Sequence, residues 1–165
     1  MVEIPDEGAW YQSVYRSPLE LSLPQGAANS VSYRRRAASS IYALISRDQF
    51  SALHRLKSDE IWHFYTGDAI ELLRLYPNGT AELTILGGDI LDGQEPQVVI
   101  SAGTWMGARP MSDSSEAYSF FGCTSTPGFE YEDYEAGYRL TLQTAYPAYA
   151  ELIAALTRHP FEGAG

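Results

Sequence analysis

The chain is poor in cysteine, lysine and positive charge. Cys123 is the one cysteine in 165 residues, so no internal disulfide can form. Lys57 is the one lysine beside ten arginines, and 21 acidic residues against 11 basic ones give a formal charge of −10. Such a balance argues against nucleic acid and anionic membrane, which both need basic protein surface. No apolar run approaches the roughly 20 residues of a spanning helix. The opening stretch, MVEIPDEGAW, is acidic and has no apolar core of the signal-peptide kind. These absences predict a cytoplasmic protein with neither nucleic acid nor membrane among its partners. Several signatures of chemistry are also missing: no G-x-x-x-x-G-K-[ST], no G-x-G-x-x-G after a strand, no G-x-S-x-G elbow. GTWMG at 103–107 lacks the lysine and helix that phosphate binding would need.

What is present points to a β protein. The chain is long enough for one well-cored domain and short for two. Hydrophobic residues make up 45% and aromatics 13%, including twelve tyrosines. Tyrosine offers a large apolar face and one hydroxyl, which suits sheets, interfaces and wet pockets. WYQSVYRS at 10–17 alternates as a half-buried strand does. PLELSLPQGAANS at 18–30 reads as a loop or edge segment, and AASSIYALIS at 37–46 as a buried strand. FSALHRL and EIWHFYTGDAIELLRLY follow, the latter expected to turn as a hairpin at Gly67-Asp68. PNGT at 77–80 is a strong turn signal, with AELTIL as the return strand. GGDILDGQEP is a loop, QVVISAGTWMGARP is two short strands with Gly103 in the turn, and AYSFFGCTSTPGF is a strand ending at Pro127-Gly128. Only the tail, YPAYAELIAALTR, has helical spacing, with Pro147 near its start. Many short strands with turn chemistry between them and one terminal helix indicate an all-β sandwich or jelly-roll barrel. Arg34, Arg35 and Arg36 read as a solvated strand end, with an acidic ligand as the alternative use. Cys123 reads as a small buried hydrophobe, and the acids of EYEDYEAG as a solvated face.

His54-x5-Glu60-x6-Gly67 resembles the first motif of the cupin superfamily, and Ser101-Ala-Gly103-Thr-Trp-Met106 resembles the second. More closely, SDEIWHFYTG, PQVVISAGTW, GCTSTPGFEYEDYE and ELIAALTR are similar to the small single-domain cupins of unassigned function. The resemblance covers about 7–158. It implies a double-stranded β-helix, a cupin jelly-roll barrel, with a short C-terminal helix as one domain over 1–165. It also implies a homodimer paired through edge strands. Metal-binding cupins use three histidines and a glutamate. Here His54 and Glu60 stand at two of those positions, while Leu56 and Met106 stand at the others. The family often begins with a His-Pro-Glu-Gly-Gly-like stretch, where this chain has PDEGAW.

Side chains alternate faces along a strand. By analogy with cupins, His54 and Glu60 point into the barrel, with Trp62 and Phe64 on the Glu60 face and His63 and Tyr65 on the other. Only a bulge would bring His63 to them. A stable transition-metal site takes three or four protein ligands, so no metal cofactor is expected; His54 and Glu60 are the candidates should a divalent metal bind. A metal-free acid–base pair is better served: His54 as base, Glu60 as its carboxylate partner, and Tyr42 or Tyr65 as the acid. This resembles the metal-independent sugar epimerases of the superfamily. Trp62, His63, Phe64, Trp105 and Met106 are candidates for the wall of a small-molecule pocket, or simply core. Three functions follow in order: an isomerase or epimerase acting on a small polar metabolite such as a sugar derivative, a non-catalytic binding module, and a metal-dependent enzyme such as a dioxygenase.

Overall fold

The computed structural model describes residues 1–24 and 32–161. Two sheets lie face to face. The larger has the strand order β1 (Val2–Glu3), β2 (Trp10–Arg16), β5 (Ser39–Ser46), β12 (Tyr118–Thr126), β7 (Asp59–Gly67) and β10 (Gln97–Ile100). The smaller runs β13 (Glu135–Ala136), β6 (Ser51–Arg55), β11 (Trp105–Pro110), β8 (Ile70–Leu75) and β9 (Ala81–Leu86). All pairings between these strands are antiparallel. β3 (Glu20–Pro24) and β4 (Ser32–Arg36) form a separate ribbon, so the segment at 18–30 holds a strand where a loop or edge was expected; its residues 25–30 lie outside the described ones. Helices α1 (Arg139–Ala145) and α2 (Ala150–Ala155) follow.

Burial patterns explain why the strands read differently. β12 and β7 alternate because one face of the larger sheet meets solvent. β8, IELLRL, is covered on both faces, so its apolar residues fall on both instead of alternating with polar ones. Its Ile70 and Leu72 belong to the core between the sheets, while Leu73 and Leu75 pack with Leu53, Leu142, Ile153 and Leu156 beneath the helices. α1 escaped the sequence reading because RLTLQTA carries no strong apolar stripe. Packing of Leu142 and the Tyr146 hydroxyl bond to the Tyr76 carbonyl (2.7 Å) hold that segment.

Gly67-Asp68 is not a hairpin. β7 belongs to the larger sheet and β8 to the smaller, so the chain turns a corner between them. The corner is tied to β12 instead: the Asp68 amide donates to the Tyr118 carbonyl (2.7 Å), and the Tyr118 amide donates to Asp68 Oδ2 (3.0 Å). Gly67 has φ +97°, and a Cβ there would lie 2.3 Å from the Tyr118 carbonyl oxygen. The turn at Gly103 makes the same crossing between β10 and β11. PNGT is the expected turn between β8 and β9, with Asn78 Oδ1 accepting from the Thr80 amide (3.0 Å).

The arginine run is not uniformly solvated. Arg34 pairs with Glu20 at the surface (3.2 Å), but Arg35 is buried against Asp133. That pairing also removes Asp133 from the expected acidic surface.

Candidate functional site

A cavity of about 400 Å³ opens between the inner face of the larger sheet, β6, and two loops. His54 and Leu56 come from β6 and its end, and Glu60 and Trp62 from β7. All four line the cavity, as alternation along the two strands requires. Met106 pairs with His54 across the ladder, at the place its motif assigns. Its side chain is 1% exposed and belongs to the core rather than to the cavity lining.

Glu60 is buried and hydrogen-bonded on both oxygens. Trp62 Nε1 donates to Oε2 (2.8 Å), two residues along the same strand face, and the Ser125 hydroxyl donates to Oε1 (3.2 Å). Burial pushes its carboxyl pKa up; the positive field of His54 and the two hydrogen bonds pull it down, and Glu7 pushes it up again. The net direction is upward, so Glu60 keeps its proton to higher pH than an ordinary glutamate.

His54 is 3% exposed. Its Nδ1 lies 2.7 Å from the Ala52 carbonyl, which can only accept, so Nδ1 carries hydrogen. That leaves Nε2 as the basic nitrogen, and it faces Glu7 Oε2 at 3.8 Å. Tyr134 stacks on the imidazole (centroids 5.3 Å apart, planes at 22°). Burial raises the Tyr134 hydroxyl above the usual phenol range, with Glu7 adding to the shift.

Glu7 is the residue the sequence reading missed. It sits in the loop before β2, where the Ser51 hydroxyl donates to its Oε1 (2.7 Å). Its carbonyl accepts from the Ala52 amide (3.0 Å) and from Arg158 (3.2 Å). A loop acid has no periodicity to expose it. The one available signal was the Glu-Gly pair of PDEGAW. Tyr134 and Ser125 were missed for the same kind of reason: both reach the cavity from segments distant in sequence.

The other candidates disperse. Tyr42 and Tyr65 lie on the outer face of the larger sheet, with rings 5.9 Å apart and both against Phe120. Neither lines the cavity, because each is one residue out of phase with the inward positions of its strand. His63 faces outward too, with Nε2 3.3 Å from the Thr124 hydroxyl. β7 does contain a bulge, but at Tyr65, beyond His63, so it cannot rotate His63 inward. Phe64 packs against the core without lining the cavity. Trp105 lies on the helix side of the smaller sheet, under Arg55 (4.5 Å), and so faces away from the cavity. Cys123 lines it as a neutral thiol, since burial and the fields of Glu60 and Glu7 raise its pKa.

The donor set does not fit a cupin metal. Among the described residues no group of three His, Cys, Asp or Glu side chains gathers to hold an ion. Both Glu60 oxygens are committed to hydrogen bonds, and two motif positions hold Leu56 and Met106.

Comparison with known proteins places these features. Residues 1–137 match the family described as Cupin superfamily (DUF985). Similar solved structures include a hypothetical protein from Leishmania major, 27% identical, with TM-score 0.82 over 96% of this chain and 93% of that one. A protein from Shewanella oneidensis is 30% identical with TM-score 0.77, over 93% of this chain and 89% of that one. A cupin 2 conserved barrel domain protein from Rhodopseudomonas palustris shares the fold at 16% identity and TM-score 0.56, over 96% of this chain and 85% of that one. No curated protein matches.

Proposed function

From the premise that the chain belongs to the Cupin superfamily (DUF985) family, we propose that its cavity binds a small molecule and transfers a proton on it without a metal, as an isomerase or epimerase does. The observation that carries this reading is the Glu7–His54–Glu60 cluster on the wall of an open, largely apolar cavity. Acid–base catalysis needs one group that accepts a proton and one that holds one near the working pH. His54 Nε2 is the acceptor. It breaks a C–H bond next to a carbonyl, and the electron pair moves onto the carbonyl oxygen. Glu60, whose carboxyl pKa burial raises, returns a proton to carbon as the electrons move back; His54 then gives its proton to solvent and Glu60 takes one up. Glu7 stabilises the imidazolium that forms and so positions the base. Glu60 thus takes the acid's part in place of Tyr42 or Tyr65.

A homodimer is part of the same proposal. The outer face of the larger sheet carries Tyr42, Leu44, Ile61, Tyr65, Phe120 and Val99, with Asp59 at its rim as the one acid among the described outward residues of β5, β7, β10 and β12.

The test is deuterium uptake. Small molecules retained by the purified protein are identified by native mass spectrometry and returned to it in D2O. A gain of one deuteron at carbon is expected, and both His54→Ala and Glu60→Gln abolish it. Retention of the molecule with no exchange at any pH leaves a binding module instead. That second reading is favoured by the hydrogen bonds that hold both Glu60 oxygens.

A further inference from the structure

The charges on the cavity wall are unequal. Glu7 and Glu130 are set against Arg16 as the one permanent cation among the described lining residues, with His54 between Glu7 and the hydrogen-bonded Glu60. Arg16 is already engaged at the mouth: its Nη2 donates to Glu130 Oε1 (3.3 Å) and to the Phe129 carbonyl (3.4 Å), and its side chain is 57% exposed. An anionic ligand would therefore enter beside Glu7 with no free cation to meet it, and an unpaired buried charge is costly. A cation meets the opposite situation. Glu7 lies buried beside His54, and Tyr11, Trp62, Phe129 and Tyr134 supply aromatic surface around the opening and walls. Ring faces attract ammonium groups, the more so when desolvated.

We propose that the ligand of this cavity is a small amphipathic amine, its ammonium seated against Glu7 and its aryl or alkyl body against the aromatic wall. The inference rests on the cavity being the ligand site. It does not depend on proton transfer, and it turns away phosphorylated and carboxylated metabolites, sugar phosphates included.

Isothermal titration calorimetry with three probes of one shape tests it: phenethylamine, 2-phenylethanol and phenylacetate, at neutral pH and low salt. Phenethylamine is expected to bind the unmodified protein at least tenfold more tightly than the alcohol, and phenylacetate more weakly than either. In Glu7→Gln the amine's advantage is expected to fall at least fivefold while the alcohol binds as before. Should that variant not fold, the ranking of the three probes on the unmodified protein decides alone. Phenylacetate binding as well as the amine overturns the inference, as does an amine no better than the alcohol, or no binding of the amine at all. Amine preference with no deuterium exchange keeps the inference and ends the proton-transfer reading. Exchange on a retained anionic molecule does the reverse.

Discussion

Two carboxylates and one imidazole share the wall of the cavity, and His54 and Glu7 act on Glu60 in opposite directions. Glu60 is held above its ordinary value of 4.5, first by burial. The folded state therefore binds a proton there that the unfolded chain releases between 4.5 and the raised value. The group's contribution to stability is fully present below that window and is lost as pH rises through it. Glu60→Gln removes the titration. Urea denaturation should find the variant's stability relative to the native protein rising as pH climbs above 4.5; a difference constant with pH would mean that Glu60 titrates normally. His54 and Glu60 were legible in the sequence because a motif spacing and strand alternation both selected them. Glu7 was not, because a loop residue's direction is set by what its backbone bonds to. Here those bonds reach Ala52 and Arg158, which are 45 and 151 positions away.

Among the elements, the β3–β4 ribbon has a role its composition hid. Arg35 of β4 reaches the segment between β12 and β13: Nη1 donates to Asp133 Oδ1 (2.9 Å) and Nη2 donates to the Gly128 carbonyl (2.8 Å). That segment also carries Phe129, Glu130, Tyr131 and Tyr134 to the cavity. The pair thus anchors one wall. Breaking one side of a buried ion pair costs about 3–5 kcal/mol, whereas replacing both partners by apolar residues costs far less. Arg35→Ala should lower unfolding free energy by that amount and weaken ligand retention, and Arg35→Met with Asp133→Leu should recover most of the stability. Equal losses in the two would show that the pair anchors nothing. The corner at Gly67-Asp68 belongs to this scale as well. Its Gly-Asp chemistry announced a turn correctly, but whether two strands joined by a turn also pair with each other depends on their other neighbours. β12 and β10 take both edges of β7.

For the whole molecule, a formal charge of −10 coexists with a sheet face almost free of charge. Tyr65 lies over Gly122, where a Cβ would come within 2.3 Å of its hydroxyl, so the aromatic surface stays low against the sheet. Two copies can meet there without bringing their acids together. Light scattering after size-exclusion chromatography should give twice the chain mass for the native protein, and Tyr42→Glu with Tyr65→Glu should give the monomer with its fold retained. A native monomer at micromolar concentration would remove the homodimer from the proposal. No helix among the described residues is long and apolar enough to cross a membrane.

The sequence by itself determined most of the strands and turns, and its resemblance to the cupins pointed to the barrel and to the inward pair His54 and Glu60. These rest on period-two alternation, glycine and proline chemistry and motif spacing, all of which act within a few residues. The tertiary structure alone decided which sheet each strand joins, that Tyr42 and Tyr65 face outward, and that Glu7, Ser125 and Tyr134 complete the site. It also decided that Arg35 and Asp133 are buried together. The physical reason is the same in each case: hydrogen-bond partners, burial and fields come from residues far along the chain, and no local pattern records them.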